Sequence, residues 1–266
     1  MIQITPIFTA SPLRNFSYLV HSDRTGEAVC IDPYYPEQII NLLKKKGLKL
    51  KSILNTHEHS DHTAGNLELK TYTNCQIFGH KNTRGKIPGL DEILGEGDIC
   101  FSVENETLVS WETPGHTDCH LTFAVTSAHS TKAVFTGDTI FNAGVGNCYR
   151  GGNPHTLFQT VKHRFVDLDH NTKLYPGHEY WENNLAFAKS IDSDNLEINH
   201  LLSSLPDVNS KEGFYVSDFG LEKKINPFFR LDNPHIQKQI RTRIKNESPS
   251  TEESYFVALR KLRDQW

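Results

Sequence analysis

Seven consecutive residues, Thr56-His57-Glu58-His59-Ser60-Asp61-His62, carry three imidazoles and two carboxylates directly after the apolar run "SILN". Such groups are costly to bury unless something pairs with them, so this crowding constrains the fold more than any other stretch. In an extended segment leaving a strand, residues two apart point to the same side. His57 and His59 can therefore grip one cation together while Glu58 points away. If the chain then turns into a helix at Asp61, Asp61 and His62 converge on a second point nearby. One loop thus offers two half-sites, with Ser60 read as a loop residue.

Each half-site needs further ligands, and three later segments present one after a glycine: Gly115-His116 in "TPGHT", Gly137-Asp138 in "FTGDT" and Gly177-His178 in "YPGHEY". Glycine permits the sharp turn and close backbone approach that aim a following side chain at a shared centre. The tally suits two ions sharing one carboxylate: His57, His59 and His116 with Asp138, and Asp61, His62 and His178 with Asp138. A lone HxH pair or "TGD" turn is an ordinary surface feature. Four such motifs in order, each after a strand-like run, call for metal, because unpaired they would destabilise the fold.

The runs that precede them read as short strands: "IQITPIF", "NFSYLV", "AVCID", "LKSILN", "CQIFG", "TLVSWET", "LTFAV" and "AVFTG". Between them "PEQIINLLKKKG" predicts a covering helix that starts at Pro36 and stops at Gly47. Strands mixed with helices imply an α/β layered fold with its site in loops at strand ends. From about Leu185 the pattern turns helical, in "NNLAFAKSI", "LEINHLLSSL", "NPHIQKQIRTRIK" and "STEESYFVALRKLRDQ". The third has Asn233 as a cap before Pro234, and the fourth has Ser250 and Glu253 in capping-box register.

At 266 residues the chain suits one large or two unequal domains, and the formal charge of -4 gives no general reason to bind nucleic acid. Residues 1–183 hold 16 Lys+Arg against 20 Asp+Glu, residues 184–266 hold 12 of each, so the deficit sits with the histidine motifs. The N-terminus lacks a basic flank followed by an apolar core, and no apolar run is long enough to span a bilayer. Five cysteines without a CxxC pair suit reduced thiols, so the expected location is the cytoplasm, with no membrane partner.

THxHxDH followed by PGHT, TGD and GHE resembles the metallo-β-lactamase fold superfamily. That resemblance implies an αββα sandwich with the metals at one edge. The stretches "TGDTIFNAGVGNCYRG", "YPGHEYWENNLAFA", "NPFFR" and "RKLRDQW" are similar to the hydroxyacylglutathione hydrolase (glyoxalase II) family, and the likeness covers nearly the whole chain. It implies a metal-binding catalytic domain over 1–178 and a small helical glutathione-binding domain over 179–266. It also implies hydrolysis of S-(R)-lactoylglutathione to D-lactate and glutathione, the second step of methylglyoxal detoxification, by a chain expected to be monomeric. The cofactors are two divalent ions, zinc foremost, with iron or manganese as alternatives.

Within that resemblance Asp61 and Asp138 are the catalytic carboxylates, Asp138 bridging the ions. A pair of cations lowers the pKa of water towards neutrality, and a thiol of pKa near 8.5 leaves without a dedicated acid. Arg260 and Arg263, three apart on the last helix, match the family's basic pair, while Tyr149 and Tyr180 stand where its tyrosines contact the peptide. One departure stands out. The family commonly has Lys or Arg where this chain has Asn147, which predicts weaker glutathione binding, by about 1.5 to 3 kcal/mol if that contact is desolvated, with Arg150 nearby as a partial substitute. Cys119 is read as a buried thiol, and His120 as lying behind the ligands or at the surface rather than as a ligand.

Rival readings remain within and beyond the fold. A glutathione persulfide dioxygenase uses fewer metal ligands and lacks, in that family, the long helical C-terminal region; metal stoichiometry separates the two. A β-lactamase or lactonase does not account for the terminal arginines. The basic run Lys238 to Lys245, with Arg241 and Arg243, could serve RNA, but a solvated helix face explains it more simply. A metal-storage role has no need of open coordination positions.

Overall fold

The computed structural model describes residues 1–128, 130–204, 215–245 and 247–266. Two sheets face each other. Across the first run β1 (Gln3–Phe8), β2 (Phe16–Ser22), β3 (Glu27–Ile31), β4 (Lys49–Leu54), β5 (Gln76–His80) and β6 (Glu92–Leu94), in that order. The pairs β1/β2 and β2/β3 are antiparallel and the rest parallel. The second sheet contains β7 (Ile99–Val103), β8 (Glu106–Glu112), β9 (Leu121–Ser127) and β10 (Ser130–Gly137). A small hairpin, β11 (Ile140–Phe141) with β12 (Gly144–Val145), follows, and β13 (Lys173–Pro176) adds in parallel beside β10.

The period-two alternation of strand side chains sorts the residues into layers. Tyr18, Val20, Val29 and Ile31 face the second sheet and meet Leu121, Phe123, Val125 and Phe135 there. Their neighbours Leu19, Ala28 and Cys30 face outward, against Ile39, Ile40 and Leu43 of α1 (Pro36–Lys46). A one-turn helix, α2 (Ser60–Thr63), and α3 (Asn66–Thr73), whose Leu69 joins this cluster, lie between β4 and β5. On the far side of the second sheet Ala124 and Val134 meet Leu157 and Val161 of α4 (Pro154–Arg164). The result is helix, sheet, sheet, helix, the αββα order that the resemblance implied.

The C-terminal part supplies α5 (Trp181–Ile191), α6 (Leu196–Ser204), α7 (Phe219–Ile225), α8 (Pro234–Arg243) and α9 (Glu252–Asp264). Leu205, the last residue of the expected run "LEINHLLSSL", lies outside the described residues. Ile236, Ile240, Phe256 and Leu259 share one continuous cluster with Ala124 and Val134, so the helices are built onto the second sheet. In α8, Arg241 lies over the Tyr255 ring and Arg243 bonds the Ser190 backbone, so these two cations of the basic run are already engaged within the chain.

Helix ends follow local chemistry. Pro36 occupies the first turn of α1, and Gly47 closes it at φ +65°, its N–H reaching the carbonyls of Leu43 and Lys44. Asn233 caps α8 as expected. The cap of α9 departs from expectation by one residue: Thr251 and Ser254, not Ser250 and Glu253, form the capping box. Tertiary contacts decide this, because Glu253 reaches His155 and Glu252 reaches Lys162, both on α4. The sequence reading also passed over β6, β7, β11, β12, β13, α3, α4 and α7.

Where α7 meets the β11–β12 hairpin, the Glu222 carboxylate is fully buried. It accepts hydrogen bonds from the Ser217 hydroxyl, the Ala143 N–H and the side-chain amides of Asn142 and Asn226. Burial outweighs these donors and pushes its pKa up to about 7. Between about pH 4.5 and 7 the folded chain therefore binds more protons here than the unfolded one, and stability falls as pH rises through that window. The expected loss is about 3 kcal/mol. Glu222→Gln removes it. The difference in urea midpoint between wild type and variant is expected to shift in the variant's favour from pH 5 to pH 8; a pH-independent difference would refute the assignment.

Candidate metal centre

Four strands end at one edge of the sandwich. β4, β8, β10 and β13 stop at Leu54, Glu112, Gly137 and Pro176, and the loops that follow carry His57 to His62, His116, Asp138 and His178. His59 is extended (φ -63°, ψ 143°), and α2 then turns Asp61 and His62 inward. Ser60 is thus not a loop residue but the first residue of that turn. Glu58 points away, its carboxylate accepting from the Thr117 hydroxyl and from Lys86.

All seven expected donors come together. His57 Nε2 lies 2.9 Å from His59 Nδ1, and His116 Nε2 lies 3.1 Å from that same atom. On the other side His62 Nε2 and His178 Nε2 are 3.2 Å apart, with Asp61 Oδ2 at 3.5 and 3.4 Å from them. Asp138 stands between the trios. Its Oδ1 is 3.3 Å from His62 Nε2, while its Oδ2 is 3.3 Å from His178 Nε2 and 3.5 Å from His116 Nε2. The donor atoms of His57, His59 and His116 fall within 4.8 Å of one another, as do those of Asp61, His62 and His178, and those of His57, His62 and Asp138.

The outward nitrogens fix what the inward ones present. His116 Nδ1 lies 2.6 Å from the Asn147 carbonyl, His178 Nδ1 2.7 Å from the Leu13 carbonyl and His62 Nδ1 2.9 Å from Asp32 Oδ2. Those acceptors require N–H groups, and His59 Nε2 faces the Arg150 carbonyl in the same way. The Thr56 hydroxyl donates to Asp32, so it accepts from His57 Nδ1. Every imidazole therefore turns a lone pair inward, at about 3 Å from another. Lone pairs at that separation repel unless a cation lies between them. Asp138 Oδ1 is buried with no hydrogen-bond partner among the described residues. The donor set thus fits a pair of divalent ions.

Electrostatics agrees. Burial lowers the pKa of His57 and His116. Burial also works against a charge on His62, but the carboxylates of Asp138 and Asp32 overcome it and raise that imidazole well above its ordinary range. Against burial again, His178 and His62 hold Asp138 well below the usual carboxylate range. A cluster wired this way demands positive charge at its centre, which a metal ion supplies in place of a proton.

The residues behind the ligands gave little sequence signal. Asp32, at φ +50°, binds the Thr56 N–H and hydroxyl together with His62. Buried Asn15 donates to Asp61 Oδ2 at 3.0 Å and to its backbone carbonyl, and Arg14 pairs with Glu179 beside His178. Of the two places open to His120, the structure takes the one behind the ligands, not the surface: its Nε2 accepts from the Asp138 N–H, and its Nδ1 faces Thr113 and Thr139. Cys119 is buried, as expected, and all five cysteines are free.

At the rim Tyr180 stacks on His178 with ring centroids 4.9 Å apart, and burial, then Asp138 and Asp61, push its phenol up. Half-exposed Arg263 bonds Asn184 and lies over Phe187. Asn147 is exposed, and Tyr149 is 70% exposed with its hydroxyl against Asp264. Arg260 does not share this rim. It is 5% exposed, with one edge of its guanidinium on Asp264 and Nη1 on the carbonyls of Val145 and Gly146. No bidentate edge is left for a carboxylate, because α9 presses that face into the protein.

The fold and this cluster define a member of the metallo-β-lactamase superfamily, and the sequence model of that superfamily matches residues 10–178. Solved structures share the fold. ETHE1 from Myxococcus xanthus aligns over 98% of both chains with a TM-score of 0.66 and 21% identity, so chain length does not separate it from this protein. TTHA1623, solved in a di-iron-bound form, covers 84% of this chain and 99% of its own at TM-score 0.58 and 24% identity.

The chain belongs to the hydroxyacylglutathione hydrolase family. The model of the hydroxyacylglutathione hydrolase C-terminus matches residues 179–266. The hydroxyacylglutathione hydrolase of Nitrosococcus oceani is 40% identical over 99% of both chains, and that of Polaromonas sp. is 36% identical over 98% of both.

Proposed function

We propose that this chain hydrolyses 2-hydroxyacyl thioesters of glutathione, S-(R)-lactoylglutathione among them. The observation that carries the reading is Asp138 set between two trios of donors, beside a rim that continues onto the C-terminal helix. His57, His59, His116 and Asp138 would hold one ion, and Asp61, His62, His178 and Asp138 the other. Zinc is the first choice, and iron or manganese suit the same donors. When bound, the pair supplies an activated water near neutral pH and polarises the thioester carbonyl.

The chain's own groups do the rest. Asp138, its backbone N–H tied to His120, and Asp61, tied to Asn15, would offset the charge of the ions and orient the attacking water. Residues 1–178 carry this chemistry, and 179–266 share the glutathione contact with Asn147 and Tyr149. Tyr180 closes one side of the approach, Arg263 offers a carboxylate donor, and Tyr149 and Asn147 form the exposed side. The departing thiolate needs no acid of its own.

Exposure revises the expected cost of Asn147. A cation there is partly hydrated, so a glutathione carboxylate gains about 0.2 to 1 kcal/mol from it, less than a desolvated contact gives. Asn147→Lys is therefore expected to lower KM for the thioester by about 1.4- to fivefold with kcat unchanged. An unchanged KM would remove Asn147 from the contact surface.

The deciding experiment is release of free thiol from lactoylglutathione, with and without a chelator, beside metal analysis. Chelator-sensitive release with two ions per chain is the expected result. One ion per chain, with oxygen consumed on glutathione persulfide, would transfer the assignment to the dioxygenase reading.

A further inference from the structure

We infer that Arg260 is a positioning residue for the first half of the metal centre: it holds His116 in place through the backbone of Val145, Gly146 and Asn147. A buried guanidinium destabilises a fold unless its donors are met. Here Nη1 donates to the Val145 carbonyl at 2.6 Å and the Gly146 carbonyl at 3.4 Å, while Nε and Nη2 donate to Asp264 Oδ1 at 3.1 and 2.8 Å. The next carbonyl along, that of Asn147, is the one that His116 Nδ1 meets.

Besides Arg260, that stretch is held by the Gly146 N–H, which donates to the Thr139 carbonyl at 3.2 Å, and by Asn226, which donates to the Gly144 carbonyl at 3.1 Å. The β11–β12 hairpin pairs only Ile140 with Val145 and Phe141 with Gly144, and no regular structure follows Val145 until α4. It nevertheless lies hard against the centre. A Cβ at Gly146 would collide with the Asp138 carbonyl and come within 3.1 Å of His116 Nδ1. Small rotations of these peptide planes therefore turn the His116 ring; Arg260 restrains two of them by their carbonyls, sharing the Val145–Gly146 plane with the Gly146 N–H bond to the Thr139 carbonyl. Arg263, three residues on, touches none of these carbonyls among the bonds described and stays at the rim.

The inference rests on the metal-centre reading, and one set of variants separates the two. Arg260→Met is expected to weaken one of the two ions by about 10- to 100-fold in chelator competition, the range for an outer partner of a ligand. Its kcat should fall while KM for the thioester stays within about twofold. Arg263→Met should do the reverse, raising KM and keeping both ions. Arg260→Lys keeps a cation that reaches fewer carbonyls, so it should lose affinity for the same ion to a smaller degree, and it serves if the Met variant fails to fold. Two ions held at wild-type affinity in both Arg260 variants, with only KM raised, would overturn the inference alone. A wild type that binds no pair of ions overturns the metal-centre reading and this inference with it.

Discussion

Replacing Asp138 by asparagine should cut thiol release from the thioester at least about a thousandfold, well beyond the ~10- to 100-fold loss that follows from disturbing an outer partner of a ligand. The shape of the side chain is kept, and its backbone N–H to His120 and the Gly137 turn are untouched, so the fold has no reason to change. What changes is charge and direction. The carboxylate turns Oδ1 towards His62 and Oδ2 towards His116 and His178, all three through inward Nε2 atoms. An amide must place an NH2 on one of those sides, where it can only donate, and it removes the negative charge that would sit between the two cations. Metal analysis should then give fewer than two ions per chain. A variant that keeps both ions and more than about a tenth of wild-type turnover would deny Asp138 its place between the trios.

The seven donors were legible because each belongs to a local pattern: alternation in His57 and His59, a turn of helix in Asp61 and His62, and a glycine before His116, Asp138 and His178. What stands behind them was not. His116 and His178 are oriented by the backbone carbonyls of Asn147 and Leu13, and any residue type supplies a carbonyl. Asp32 and Asn15 sit 24 and 46 positions from the groups they hold and look in sequence like ordinary turn residues. The two arginines show another limit. Spacing of three placed Arg260 and Arg263 on one helix face, but whether such a side chain is swallowed or left at the rim depends on what packs there. Phe228 and the Val145 and Gly146 carbonyls lie over Arg260, whereas Arg263 lies over Phe187 at the surface. Strands of three to five residues such as β6 and β7 went unread for a related reason, since their pairing partners, rather than their composition, make them strands.

Gly177→Ala should disable the centre with little damage to the fold. The glycine's φ is not in the left-handed region, so alanine meets no backbone penalty there. The obstacle is space: a Cβ would collide with Asp138 Oδ1 and stand 2.9 Å from His62 Cε1 and 3.1 Å from the Gly137 carbonyl carbon. Gly177 cannot retreat, because its N–H is bonded to the Gly137 carbonyl at 2.8 Å and its own carbonyl accepts from Phe16 at 2.8 Å. The ligands must give instead, one from between the trios and one from the second trio. Overpacking of this kind costs about 1 to 3 kcal/mol, and here it is concentrated on atoms whose separation sets metal affinity. Affinity for at least one ion is expected to drop more than about tenfold, and kcat with it, while the helical content by circular dichroism stays that of the wild type. Gly115→Ala offers the contrast: at φ +144° its Cβ meets backbone atoms of Leu157 in α4, so the expected loss is in folding stability first. If Gly177→Ala binds both ions as tightly as the wild type, then Asp138 and His62 are not held where the four strand ends bring them.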